Sequence, residues 1–97
     1  MLYTFSNAQY SATELQRYFA QLTEQDAVVL WGDGVLLMVK QVALLQHVKK
    51  GYVMQEDLIA RHLQQHPNLT LLKDHIQPIN MTQFVTLTEQ YSPQFAL

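Results

Sequence analysis

Ala27-Val28-Val29-Leu30-Trp31-Gly32-Asp33-Gly34-Val35 sets an apolar run ending in tryptophan directly before two glycines that flank an aspartate. A continuous apolar run of this length, rich in β-branched residues, suits a strand buried on both faces. Glycine on either side of Asp33 suits a sharp exit from that strand, because glycine enters the left-handed region without steric cost. In open α/β sheets, ligands and partners collect outside the carboxyl ends of the strands. Gly32-Asp33-Gly34 therefore reads either as a ligand loop or as a tight turn into the next helix. No further Gly, Lys and Ser/Thr follow at phosphate-loop spacing, which favours the turn.

Working outward, the flanking segments alternate in type. Met1–Phe5 reads as a first strand. Ser11-Ala12-Thr13-Glu14 has capping-box spacing and opens a helix over Ala12–Leu22, with Leu15, Tyr18, Phe19 and Leu22 on one face. After Ala27–Trp31, the segment Val35–His47 reads as one helix that is apolar on more than one face. A helix of that kind is usually covered on more than one face, by its own sheet and by a partner chain. Leu36, Met38, Val42 and Leu45, with Asp33 at its start, are the candidate partner-interface residues; the alternative is a small domain that leaves a few leucines exposed. Lys49-Lys50-Gly51 closes this helix.

Tyr52–Met54 reads as a third strand and Gln55–Gln65 as a helix, with Glu56 and Asp57 in its first turn and Pro67 as its stop. Between Asn68 and Ile79 a strand falls at either Leu69–Leu72 or Ile76–Ile79, the second being an edge strand or strand end because of Pro78. Asn80 caps a last helix from Met81 to about Gln90, and Gln94–Leu97 adds a short strand or tail. The alternation predicts a single α/β domain over 1–97: a mainly parallel open sheet of four to five strands, with helices on both faces.

Composition narrows the function classes. The 97 residues carry six Lys and Arg against eight Asp and Glu, a net charge of −2, so no basic field is present for nucleic acid. No apolar run reaches the length of a membrane span, and no signal peptide is indicated, so the expectation is a cytoplasmic protein. There is no cysteine, which removes disulfides, thiolate ligands and persulfide carriage from the chain itself. His62 and His66 have helical metal-ligand spacing, but no third ligand is placed beside them, and two surface histidines are the commoner case. Glu56 and Asp57 are adjacent and do not converge as an acid–base pair. Ser6, Ser11 and Ser92 lack a nucleophile-elbow context. No catalytic residue, cofactor or metal is called for.

Four stretches resemble one family. Met1–Ser6, Val28–Val35, Tyr52–Arg61 (Tyr-Val-Met-Gln-Glu-Asp-Leu-Ile-Ala-Arg) and Met81–Thr88 (Met-Thr-Gln-Phe-Val-Thr-Leu-Thr) are similar, in order and spacing, to the TusB/DsrH family of the DsrE/DsrF/DsrH group. The chain departs from it at Gly32, where Gln or Glu is usual, at Pro78 and at the C-terminal Leu97. The resemblance implies a DsrE/F/H-like fold and a non-catalytic subunit of a sulfur-relay heterohexamer, two copies each of B-, C- and D-type chains. The D-type chain holds the persulfide and passes it to a downstream carrier, toward 2-thiolation of tRNA wobble uridine. The partners implied are thus TusC-like and TusD-like chains. A related complex serves dissimilatory sulfur oxidation, and a homo-oligomeric binding module, homodimeric in isolation, is the reading from a different class.

Overall fold

The computed structural model describes residues 1–97. Five strands, β1 (Leu2–Phe5), β2 (Ala27–Leu30), β3 (Gly51–Met54), β4 (Ile76–Ile79) and β5 (Gln94–Ala96), form one sheet in the order β4-β3-β2-β1-β5. Every pairing is parallel, as the alternating pattern predicts. Around it lie α1 (Ala12–Ala20), α2 (Leu37–Lys40), α3 (Val42–Leu45), α4 (Gln55–Ala60), α5 (Pro67–Leu71) and α6 (Met81–Gln90).

The order of the strands explains the layers. From β1 to β4 each connection steps the same way across the sheet, so right-handed crossovers lay all of them on one face. Phe5, Val28, Leu30, Val53 and Ile76 point to that face and pack against Leu15, Phe19, Leu37, Leu45 and Leu58. The step from β4 to β5 runs back from one edge to the other, so α6 covers the opposite face. There Leu2, Ala27, Val29, Met54 and Ile79 meet Leu87. β2 is consequently buried at all four positions, which is why its sequence is an unbroken apolar run rather than an alternating one. Tyr52 and Tyr91 pack beside this second cluster, and burial pushes the Tyr52 phenol above its ordinary pKa, with Tyr91 adding to the effect.

Four segments differ from the sequence expectation. Val35–His47 is not one helix: a 3₁₀ turn spans Gly32–Leu36, and Gln41, at φ −131° and ψ 40°, separates α2 from α3. Val35 and Met38 are both buried. Val35 is turned inward within the 3₁₀ turn, and Met38 is buried on α2, which follows it directly. The helix expected over Gln55–Gln65 stops at Ala60, because His62 turns left-handed at φ 55°. The Leu63 N–H then donates to the Leu58 carbonyl (2.8 Å) and the His62 N–H to that of Ile59 (3.1 Å), the paired bonds of a Schellman stop. Pro67 does not stop that helix but opens α5 as its first residue, with the His66 ring nitrogen accepting the Asn68 N–H at 3.1 Å. Leu69–Leu71 is therefore helical, and of the two candidate strands only Ile76–Ile79 forms. Pro78 is tolerated there because β4 is an edge strand with one neighbour.

The ends agree with their caps. The Ser11 hydroxyl accepts the Glu14 N–H at 3.1 Å, and Asn80 and Gln83 form a reciprocal capping box on α6, with bonds of 2.8 and 2.9 Å. At the N-terminal ends of the strands the Met1 ammonium lies 3.1 Å from Asp26 Oδ1. The Asp26 carboxyl is held below its ordinary pKa, first by the Thr23 backbone N–H that donates to it at 2.9 Å and then by the ammonium. No helix is long and apolar enough to cross a membrane.

Candidate functional site

The strongest convergence of polar groups lies at the carboxyl ends of β1, β2 and β3. β2 ends at Leu30, and Trp31 continues extended, its N–H donating to the Phe5 carbonyl at 3.1 Å. Gly32 then turns at φ +56°, a conformation that disfavours any side chain with a Cβ. Gly34 folds back against β1: a Cβ there would sit 1.9 Å from the Phe5 carbonyl oxygen. The two glycines thus have different jobs, one conformational and one steric, and together they keep the turn tight.

α4 holds the turn from the side. Asp57 Oδ2 accepts the Gly32 N–H at 2.8 Å. Arg61, one helical turn on, reaches Asp33 Oδ1 with Nη2 at 2.7 Å and the Asp57 backbone carbonyl with Nη1 at 3.3 Å. Nη1 also lies 3.7 Å from Asp57 Oδ1. Asp57 and Arg61 are only partly exposed, whereas the Asp33 side chain is two-thirds exposed. Four residues from two segments, joined by bonds that span 25 and 28 positions of the chain, therefore form one connected network. Trp31 stands at its edge with 44% of its surface exposed.

Of the residues expected at a partner surface, Asp33 is exposed and Leu36 and Val42 are half-buried. Met38 and Leu45 correct that expectation: they are 2% and 0% exposed and belong to the chain's own core. The apolar surplus of Val35–Val48 is used inside the fold because the 3₁₀ turn and the break at Gln41 redirect it. Within that segment Val39 stays exposed; the other exposed large apolar side chains are Met1, Trp31, Ile59, Leu71 and Phe95, with Met81 and Val85 one turn apart on α6. Sequence reasoning missed Trp31, Asp57 and Arg61 as a group. The Asp57–Arg61 spacing of four is the visible signal of a pair on one helical face.

The polar groups of the network are bound to one another. No three His, Cys, Asp or Glu side chains come together that could hold a metal ion. His66 is occupied as the cap of α5, and His62 forms the left-handed stop after α4. The donors of Arg61 are turned inward on Asp33 and Asp57, which leaves the network suited to shaping a surface rather than to binding an anion.

The family described as DsrH like protein matches residues 7–94. The chain belongs to the DsrH-like family. Within it, an uncharacterised protein of Haemophilus influenzae is 43% identical over 101 aligned positions that cover both chains completely. Proteins named TusB from Shigella dysenteriae serotype 1 and from Escherichia coli O1:K1 are each 33% identical over 100 positions, covering 99% of either chain. The DsrH-like match takes in every residue of the Trp31–Arg61 network.

Proposed function

We propose that this chain is a non-catalytic structural subunit of a sulfur-relay complex. It assembles in the cytoplasm with TusC-like and TusD-like paralogues into a heterohexamer that supports 2-thiolation of tRNA wobble uridine. One observation carries the reading: a chain aligned from end to end with proteins named TusB contains no cysteine. Sulfur moves between proteins by thiolate attack and mixed-disulfide-like exchange. A chain without a thiol cannot hold that sulfur, so its part is to shape and position the chains that do. The rigid, nucleophile-free rim around Trp31 supports this division of labour. A net charge of −2 favours protein contacts over direct contact with tRNA, which leaves the downstream sulfur carrier to meet the nucleic acid.

Deleting the gene in its host and measuring 2-thiouridine derivatives in tRNA hydrolysates by mass spectrometry tests the proposal. The expected result is loss of wobble 2-thiolation, restored by the wild-type gene. Unchanged thiolation in the deletion strain would contradict it.

A further inference from the structure

Trp31 is the chain's single tryptophan, and it is held out to solvent at a rim whose backbone is fixed on three sides. Its own N–H is bound to Phe5, Gly32 is bound to Asp57, and Gly34 is pressed against β1. A large aromatic exposed on rigid backbone loses little conformational freedom on docking, and tryptophan is enriched among residues that dominate interface energy. α4, which is bonded to the turn after Trp31 through Asp57 and Arg61, exposes Glu56 and Ile59.

Charge is distributed unevenly around this point. The rim holds Asp33, Glu56 and Asp57 against Arg61 alone, a net of −2. That local excess equals the formal net charge of the chain, the other five cations and five carboxylates summing to zero. A nucleic-acid backbone is repelled by such a field. A second copy seated rim to rim would set like charges together. The largest cavity, lined in part by Phe19, Asp26, His47 and Lys50, lies at the opposite ends of the strands and is separate from Trp31.

We propose that Trp31 anchors one of the paralogous relay subunits, through an apolar pocket on that subunit rimmed by Lys or Arg side chains that face Asp33 and Glu56. The proposal rests on the reading of this chain as a relay subunit. It adds which surface is used, which residue is the anchor, and the charge of the surface that receives it. Electrostatic complementarity of this kind speeds association and makes it salt-dependent.

The chain labelled with 5-fluorotryptophan gives one fluorine resonance, which reports Trp31 alone. Titration with the purified TusC-like and TusD-like paralogues of the same host, followed by fluorine NMR and light scattering, tests the proposal. Assembly is expected to shift the resonance. Trp31→Ala is expected to weaken assembly by about tenfold or more. Glu56→Lys, at an exposed position that leaves folding intact, is expected to weaken it and to reduce its dependence on salt. Assembly with an unmoved resonance and wild-type affinity of Trp31→Ala overturns the anchor while leaving the relay reading standing. A moved resonance with no effect of Glu56→Lys or salt overturns the basic rim. Absence of any assembly overturns the relay reading itself, and this docking with it.

Discussion

The Asp57 carboxylate accepts the Gly32 backbone N–H at 2.8 Å, across 25 residues of sequence. This bond joins the turn after β2 to the helix after β3, and Arg61 doubles it by binding Asp33 at 2.7 Å. Two adjacent parallel strands are thereby locked at their carboxyl ends. Asp57→Ala should expose the Gly32 amide and cost about 1–3 kcal/mol, the range for a donor deprived of its partner. Asp57→Asn, which keeps an acceptor oxygen, should cost less. Urea denaturation gives the stabilities, and amide exchange at Gly32 reports whether the turn has loosened.

Gly34→Ala tests the steric role of the second glycine. The new Cβ would lie 1.9 Å from the Phe5 carbonyl oxygen and 2.7 Å from its carbon. Both are backbone atoms of β1 and cannot turn aside, so the strand must move. A loss of about 3 kcal/mol or more is expected, read from the denaturation midpoint. Gly32→Ala acts differently: only the Ser6 carbonyl oxygen is near, at 3.7 Å, and the strain is that of φ +56°. It should cost about 1–2 kcal/mol.

His62 occupies the left-handed position that most helices give to glycine. His62→Gly should relieve the strain of a non-glycine residue there and stabilise the fold by about 1 kcal/mol. For a domain of this size that is a rise in melting temperature of about 5 °C, measurable by calorimetry. This stop also shows why the end of α4 was hidden in the sequence. Helix-forming residues continue to Gln65, no glycine marks the end, and the decisive contacts are backbone bonds to Leu58 and Ile59 supported by burial of Leu58.

Other parts of the fold were legible for equally specific reasons. The apolar run of Ala27–Leu30 announces a central parallel strand because both its faces are covered. Asn80 and Gln83 announce α6 through a capping box that forms as spaced. The partner surface was only partly legible. Apolar residues on Val35–Val48 carry no mark that separates core from interface, and the fold claims Met38 and Leu45 for its core. Trp31 was visible as a strand end, but its exposure depends on the turn at Gly32 and on α4 reaching across from the next strand.

Asp26 gives a pH signature at the other end of the sheet. Its folded pKa lies below the unfolded one, chiefly through the Thr23 N–H. It therefore contributes stability that is complete well above the ordinary carboxylate range near pH 4. That contribution is lost as pH falls through that range to the lower folded pKa. The stability difference between wild type and Asp26→Asn should be constant near neutrality and shrink below about pH 4. Denaturation curves at stepped pH measure it; a difference that grew on acidification would contradict the assignment.

The central claim is that a chain without a thiol serves as a fixed part of a larger relay assembly. Native mass spectrometry of the chain, co-expressed with its two paralogues and gently lysed, tests this most directly. The account predicts one dominant species with this chain and both paralogues in equal numbers, and persulfide sulfur found only on a cysteine-bearing partner. Recovery of the chain alone or as a homodimer, with the paralogues assembled without it, would contradict the account.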